Sequence, residues 1–391
     1  MSPTADRVVA ALRDVIHPGD SFVPLHEPTF GGNEWAYVKD CIDTGWVSSA
    51  GAYVDRLEAE LAIYTGAARA VAVVNGTAAL HVALLLCGVE RGDEVVLPAL
   101  TFVATANAVA YCGASPLFAD SEETTLGLDP DKLADWLDAH AERRDGACVN
   151  RSTGRTIRAV IPMHTFGHPV RIGRLAEVCE RWGLTVVEDA AESLGSFVNG
   201  QHTGRVGQAA TLSFNGNKTI TTGGGGALIT DDEELADRAK HLTTTGKRPH
   251  RWEYVHDAVA FNYRLPNINA ALGCAQLEQL DGFLASKRRL AGRYAEAFAG
   301  VDGVRFVSEP DGARSNYWLN AVLLDDPTNR DSVLEATNDA GLMTRPVWRL
   351  MPHLPMYAGA QCTDLSVAES IERRLVNIPS SPSLEARDAE S

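Results

Sequence analysis

Residues 209–230 read AATLSFNGNKTITTGGGGALIT, in which two short apolar runs flank a polar turn, one lysine and four consecutive glycines. The runs AATLSF and GALIT are typical of strands that are buried on both faces of a sheet. Lys218 lies between them. A single lysine is usually a solvated surface residue, but glycines have no Cβ and let a backbone pass close to another group. The stretch therefore raises the hypothesis that Lys218 faces a flat, anionic group at short range.

Short β-rich runs alternate with helical stretches around this segment, from about residue 68 to residue 230. The strand-like runs are RAVAVV (69–74), DEVVLPAL (93–100), SPLFAD (115–120), TIRAVIPM (156–163) and LTVVEDAA (184–191). Stretches such as GTAALHVALLLCGV and VRIGRLAEVCERWG have the apolar spacing of helices. This alternation predicts an α/β fold with a mainly parallel sheet that is covered on both faces. Ligands of such sheets bind beyond the carboxyl ends of the strands.

The length of 391 residues fits about two domains. We expect residues 1–255 to form an N-terminal segment and a large domain, and residues 256–391 to form a smaller C-terminal α/β domain. A basic loop with aromatic residues, KRPHRWEYVHD (247–257), is followed from about residue 267 by a long helical stretch. The last residues, EARDAES (385–391), are expected to be a frayed tail.

Composition and charge exclude several classes of protein. Apolar residues make up 45% of the chain and the net charge is −16, so a sizeable core can be buried and nucleic acid is disfavoured as a partner. No apolar run is long enough to span a membrane, and the start of the chain lacks a signal-peptide pattern. We therefore expect a cytoplasmic protein. The seven cysteines form no CxxC pair, which favours reduced packing residues over a disulfide framework or a metal site.

Three features of the sequence fit together as parts of one site. Asp189 ends the strand LTVVED, and Lys218 follows about thirty residues later beside Ser213 and the glycines. Gly76 and Thr77 follow the strand VAVV and open a helix, where free N–H groups and the positive dipole end favour a phosphate. A lysine can form a Schiff base, and a carboxylate can hold a pyridine nitrogen protonated. The combination predicts a pyridoxal 5′-phosphate site, although each residue alone has an ordinary structural alternative.

Six motifs resemble those of the DegT/StrS family of sugar aminotransferases. They are NGTAAL (75–80), PALTFVATANAV (98–109), HTFGHP (164–169), VVEDAAESLGS (186–196), SFNGNKTITTGGGG (213–226) and FNYRLPNINAALG (261–273). The resemblance covers residues 22 to about 380 in family order. It implies a fold-type I pyridoxal-phosphate-dependent transferase that moves the amino group of L-glutamate to a keto group of a nucleotide-linked sugar. It also implies a homodimer with shared active sites.

The resemblance assigns roles to individual residues. Lys218 is expected to form the Schiff base with the cofactor and to move protons, while Asp189 pairs with the pyridine nitrogen. Glu192, one helical turn after Asp189, is expected to contact the ring hydroxyl. Phe102 is expected to stack on the ring and His164 to lie near the cofactor, although a packing role is the alternative for both. The expected phosphate ligands are Gly76, Thr77, Ser213 and Asn262 of the partner subunit.

Four further residues are candidates for substrate binding. Trp46 and Trp348 are possible walls of the sugar pocket, although most tryptophans lie in cores. Lys247 and Arg248 belong to the basic run KRPHR, which is a candidate for binding a diphosphate or a carboxylate. The alternative for this run is a solvated stretch of charge.

The segments VPLHEPTFGGNEWAYVKDCIDTGWVSS (23–49) and TRPVWRLMPHLPMY (344–357) resemble the branch of the family in legionaminic acid pathways. This branch implies amination at C4 of a UDP-linked 2-acetamido-4-keto-6-deoxyhexose, for bacterial surface-glycan biosynthesis. Perosamine synthases, which act on a GDP-linked 4-keto-6-deoxymannose, and 3-keto-sugar aminotransferases are the alternatives. A dehydratase of the same fold has His in place of Lys218. A regulatory family member and a nicotinamide dehydrogenase are also disfavoured, because the chain is acidic and GGGG lacks the GxGxxG context.

Overall fold

A ten-stranded sheet lies at the centre of the fold in the computed structural model, which describes residues 2–19 and 21–384. The strands of the chain are β1 (Arg69–Val73), β2 (Glu94–Pro98), β3 (Ser115–Ala119), β4 (Ala141–Arg144), β5 (Ala147–Asn150), β6 (Thr156–Val160), β7 (Thr185–Asp189), β8 (Phe197–Val198), β9 (Gln201–His202), β10 (Ala209–Ser213), β11 (Gly226–Thr230), β12 (Lys247–Arg248), β13 (Val255–His256), β14 (Val304–Phe306), β15 (Ala313–Arg314), β16 (Asn320–Leu324), β17 (Arg345–Pro346), β18 (Gln361–Cys362) and β19 (Leu375–Ile378).

The helices cover both faces of this sheet and of a second, smaller sheet. They are α1 (Pro3–Ile16), α2 (Glu34–Thr44), α3 (Ala52–Thr65), α4 (Gly76–Leu86), α5 (Val103–Tyr111), α6 (Pro130–His140), α7 (Ile172–Trp182), α8 (Glu233–Thr243), α9 (Asn267–Leu277), α10 (Leu280–Ala299), α11 (Arg330–Asp339) and α12 (Ser366–Arg374).

The strand order of the large sheet is β1-β11-β10-β7-β6-β2-β3-β18, with β5 added beside β6 and β4 beside β5. Every pair from β10 to β18 along this path is parallel, which confirms the predicted mainly parallel sheet. Strand β11 is antiparallel to both β1 and β10. Strands β1, β10 and β7 therefore run in the same direction, and their carboxyl ends meet at one edge.

Burial explains why these runs form strands and helices. All five residues of β2 and of β11 are buried, as expected for strands that helices cover on both faces. Helix α7 buries one stripe at helical spacing, which includes Leu175, Val178 and Trp182. The cysteines are free, and six of the seven are buried, which confirms their packing role.

The C-terminal part contains a four-stranded sheet with the order β14-β16-β19-β17. Its core includes Tyr294 of α10 and Val322 of β16, and Leu12 of α1 packs into the same core. The long helical stretch predicted from residue 267 is two helices, which separate at Glu278 and Gln279. The basic segment predicted as a loop contains the short hairpin β12–β13.

In the part of the chain that the structure describes, the helices are too short or too polar to cross a bilayer. The segment EARDAES, predicted to be a frayed tail, lies outside the described residues.

Candidate active site

A cavity of about 320 Å³ lies at the carboxyl edge of β7 and β10. Eight residues predicted for the site line it together: Gly76, Thr77, Phe102, Asp189, Glu192, Ser213, Lys218 and Trp348. They come from segments up to 272 residues apart (348 minus 76), which the parallel topology brings to one edge. The remaining lining residues include Asn75, Thr105, Asn217 and Trp318.

The start of α4 forms one end of the cavity. Asn75 caps the helix, because its side-chain oxygen accepts the N–H of Ala78 at 2.8 Å. Gly76 and Thr77 belong to the first turn, and their backbone N–H groups have no acceptors within the helix. A Cβ on Gly76 would lie 3.1 Å from the Cβ of Ser213. A larger residue at position 76 would therefore fill the space between the helix start and Ser213, where an anion is favoured.

Asp189 is buried at the end of β7. Its carboxylate accepts the hydroxyl of Thr105 at 2.7 Å and the N–H of Ala191 at 3.2 Å. Burial raises the pKa of Asp189, and these two hydrogen bonds oppose the rise. A cationic group in the cavity would stabilise the ionised carboxylate.

Lys218 and Glu192 form an ion pair inside the cavity. The Nζ of Lys218 lies 3.1 Å from Oε1 of Glu192, and the lysine side chain is 13% exposed. The other carboxylate oxygen of Glu192 accepts the N–H of Phe166 at 2.9 Å. Burial raises the pKa of Glu192 to about 7, although the charge of Lys218 opposes the rise. Asp189 and Glu192 are not joined by a helical turn, because the residues after Asp189 are irregular, with turns at 191–192 and 194–195.

Aromatic rings form the walls of the cavity. Phe102 is 49% exposed, so it contributes its ring to the cavity rather than to the core. Its ring centroid lies 6.1 Å from that of Trp348 in an edge-on contact. The ring of Trp318 lies over Lys218, with Nζ 3.7 Å from its centroid.

His164 is buried beneath the site and is not among the residues that line the cavity. Its Nε2 lies 2.9 Å from Glu188, and its Nδ1 accepts the N–H of Val170 at 3.3 Å. Burial alone would raise the pKa of Glu188, but hydrogen bonds from His164 and from the N–H groups of Gly207 and Gly204 lower it. These contacts match the packing alternative for His164, since its ring supports the strand that carries Asp189.

Besides His164, four predicted site residues lie outside the cavity of a single chain. The side-chain oxygen of Asn262 accepts Nε of Arg264 at 3.0 Å, and Trp46 is 61% exposed. Lys247 lies over the ring of Tyr254, with Nζ 4.6 Å from its centroid. Arg248 forms an ion pair with Asp257 at 2.6 Å. Their roles in binding remain predictions.

The last two of the four glycines after Lys218 lie close to neighbouring residues of the chain. A Cβ on Gly226 would lie 2.6 Å from the backbone nitrogen of Gly76, and one on Gly225 would lie 2.2 Å from the hydroxyl of Thr222. None of the four glycines lines the cavity. Gly226 therefore permits β11 to pass close behind the start of α4, and it shapes the anion site from behind.

Three of the cavity residues that sequence reasoning did not single out differ in how visible they are in the sequence. Asn75 has a recognisable signal, because it directly precedes the glycine that opens α4. Thr105 follows Phe102 by three residues, and this helical spacing is a weak signal for its bond to Asp189. Trp318 has no local signal, since it lies 100 residues after Lys218 (318 minus 218) in a separate segment.

The residues present fit pyridoxal 5′-phosphate. The α4 start and Ser213 would hold its phosphate, Asp189 would face its ring nitrogen, and Lys218 supplies the amine that joins it. Two observations support this fit: the narrow space between Gly76 and Ser213, and the buried carboxylate of Asp189.

Comparisons with known proteins identify the family of this chain. The chain is 39% identical over 371 residues to GDP-perosamine synthase of Caulobacter vibrioides, covering 94% of this chain and 95% of the relative. It is 37% identical over 369 residues to GDP-perosamine synthase of Vibrio cholerae, covering 93% and 95%. The structure of the aminotransferase TlmJ from Streptoalloteichus hindustanus is similar, with a TM-score of 0.85, 30% identity and coverage of 95% and 96%. Residues 28–391 match the pattern of one family. The chain therefore belongs to the DegT/DnrJ/EryC1/StrS aminotransferase family, whose aminotransferases depend on pyridoxal phosphate.

Proposed function

We propose that this sugar aminotransferase moves the amino group of L-glutamate to C4 of a nucleotide-linked 4-keto-6-deoxyhexose. The observation that carries the proposal is the cavity, where Lys218 and Asp189 lie beside a helix start that favours a phosphate. The extended similarity to GDP-perosamine synthases supports a 4-keto sugar as the acceptor.

Each residue has a separate task in this reaction. Pyridoxal phosphate, when bound, supplies an electron sink for the bond that loses its proton. Lys218 removes the proton from the α-carbon of glutamate and delivers a proton to the sugar carbon in the second half-reaction. Asp189 would pair as a carboxylate with the ring nitrogen, and Phe102 would stack on the ring. The start of α4 and Ser213 would hold the phosphate, which would keep the reacting atoms aligned.

The nucleotide of the sugar has two candidates. The names of the similar synthases favour a GDP-linked 4-keto-6-deoxymannose, and we take it as the first candidate. The resemblance of residues 23–49 and 344–357 to the legionaminic branch favours a UDP-linked 2-acetamido-4-keto-6-deoxyhexose. Lys247 and Arg248 are proposed to bind the diphosphate of either sugar, because they are exposed cations on an acidic protein.

A panel of keto sugars tests this proposal. With glutamate as the donor, we expect the preferred 4-keto sugar to exceed the other candidate by at least about 100-fold in kcat/KM, because a site shaped for one substituent leaves polar groups unpaired with the other. Product NMR should place the new nitrogen on C4. Amination at C3 would contradict the choice of carbon, and failure of all nucleotide sugars would contradict the substrate class.

We also propose that two copies of the chain share their active sites. Exposed aromatic residues, including Trp35, Trp46, Trp252 and Tyr254, form surface that a second copy would cover. Asn262 is exposed and does not line the cavity of its own chain. This placement fits the predicted role of Asn262 of the partner subunit as a phosphate ligand.

Mixed dimers test the shared site. Lys218→Ala and Asn262→Ala chains, each impaired alone, are expected to regain about half of the wild-type activity per heterodimer, because one of the two sites then receives both intact residues. The matched control mixes Lys218→Ala with Asp189→Asn. Both of these residues line the cavity of the same chain, so this mixture should regain nothing. Verified Lys218→Ala/Asn262→Ala heterodimers without activity would contradict the shared site.

A further inference from the structure

Trp318 and Glu192 lie on either side of the free amine of Lys218. The Nζ atom is 3.7 Å from the centroid of the Trp318 ring and 3.1 Å from Oε1 of Glu192. Both neighbours line the same cavity. A carboxylate attracts the ammonium as an anion, while the face of an indole ring attracts it without offering a site that takes its proton.

The ring of Trp318 is held in this position by several contacts. Its Nε1 donates to the carbonyl of Asn217 at 2.6 Å, next to Lys218 in the chain. Its backbone N–H donates to the side chain of Asn316 at 2.8 Å. Only 4% of Trp318 is exposed. The indole therefore occupies a fixed place and does not simply fill space beside the lysine.

A buried lysine outside the cavity, Lys287, holds the backbone at Trp318. The Nζ of Lys287 donates to the carbonyl of Trp318 at 3.2 Å and to that of Ser380 at 2.5 Å. Lys287 is fully buried, and burial lowers its pKa to about 7. These two hydrogen bonds connect α10 with the backbone at Trp318 and with Ser380, which follows β19. The wall of the cavity is therefore bonded to the C-terminal core.

Glu192 is fixed in a comparable way. Its second oxygen accepts the N–H of Phe166, a residue with φ of 56°. A non-glycine residue rarely adopts this left-handed conformation. Here it directs the N–H toward the carboxylate, so both partners of Lys218 are preorganised.

We propose that Trp318 is a positioning residue that, with Glu192, holds the amine of Lys218 whenever it is not joined to the cofactor. During transamination the amine is released from the cofactor and must stay within reach of the carbon that exchanges a proton. Because both contacts favour the ammonium form, together they keep the amine in place until the reacting carbon takes its proton. This inference rests on the transamination proposed above.

A fluorescence comparison on the cofactor-free protein tests the contact directly and requires no substrate. Lys218→Met removes the ammonium but keeps a chain of similar length. We expect it to shift or brighten the tryptophan emission in the wild-type background, and to have less than about a fifth of that effect in the Trp318→Phe background. An equal emission change in the two backgrounds would overturn the proposal.

Chemical labelling provides a second readout. We expect acetylation of Lys218 in cofactor-free Trp318→Leu protein, followed by mass spectrometry, to be at least about threefold faster than in wild type, because the ring that holds the ammonium is lost. Trp318→Phe keeps a ring face and should remain within about twofold of wild type. Trp182→Phe is the matched control, since Trp182 is a buried tryptophan of a different core cluster, and it should leave the rate unchanged. Equal rates for the Leu and Phe variants would contradict the role of the ring.

Kinetic measurements on the cofactor-bound enzyme distinguish a positioning role of Trp318 from a purely structural one. With glutamate deuterated at the α-carbon, Trp318→Leu should lower kcat about tenfold, leave KM within about twofold and increase the deuterium isotope effect, because proton transfer becomes slower. Trp318→Phe should restore most of kcat. An unchanged isotope effect in Trp318→Leu would overturn the proposal while leaving the transamination itself intact.

Discussion

Lys218→Ala is expected to abolish transamination, with a loss of at least about 10⁴-fold in kcat, because the substitution removes both the amine that joins the cofactor and the proton-transferring group. Within residues 2–19 and 21–384, Lys218 is the one lysine that lines the cavity, so no neighbouring amine can replace it. The measurement is steady-state turnover of glutamate with the preferred keto sugar. Lys39→Ala is the control, since Lys39 is an exposed lysine of α2, and it should retain activity.

Borohydride reduction identifies the modified lysine independently of turnover. The wild-type protein should lose its visible absorption band on reduction and carry the cofactor on the peptide that contains Lys218. Lys218→Ala should bind cofactor without becoming covalently labelled, because the α4 start and Asp189 remain in place. Label on a different lysine in the wild type, or normal turnover by the variant, would contradict the assignment.

The large sheet was predictable because its signal is local. Strands β2 and β11 are short, mainly apolar runs in which every residue is buried, so they lack the spacing of an amphipathic helix. Asp189 and Ser213 were predictable as neighbours, because both end strands that run in the same direction. The antiparallel direction of β11 was not specified by the sequence pattern, since buried parallel and antiparallel strands have the same composition.

Other features depend on contacts between distant segments. The position of Trp318 over Lys218 is fixed by Lys287 and Asn316, and no periodicity in the sequence reveals such bonds. His164 directly follows Met163, which lines the cavity, yet the ring of His164 contacts Glu188 instead. The glycine run was associated with the cofactor because a sequence shows where the backbone lacks side chains. It does not show that the backbone of Gly76 lies so close to Gly226 that a Cβ there would clash. Chain motifs therefore locate the edge of the sheet, and tertiary contacts decide which side chains reach the cavity.

Asp189→Asn is expected to lower kcat by about 10³-fold, because it replaces the buried anion with a neutral side chain of the same shape. The hydroxyl of Thr105, which donates to Asp189 at 2.7 Å, retains an oxygen acceptor in Asn. The substitution removes the charge opposite the ring nitrogen together with the longer hydrogen bond from the N–H of Ala191, at 3.2 Å. Glu192→Gln is the comparison in the same cavity, and we expect less than about a tenfold loss, because a neutral amide still offers hydrogen-bonding groups to the cofactor and to Lys218.

The stability of the cofactor-free protein separates a catalytic role of Asp189 from a structural one. Burial raises the pKa of Asp189 above its ordinary value of 3.8, so the folded state holds this proton more tightly than the unfolded state. The stability of the wild type therefore decreases as pH rises from about 3.8 through the raised pKa, and Asp189→Asn lacks this contribution. We expect the variant to unfold at the same or higher urea concentration at pH 7.5, with the difference disappearing near pH 4. A variant that is inactive but no less stable assigns Asp189 to the cofactor, whereas parallel losses of stability and activity would show that its carboxylate mainly supports the fold.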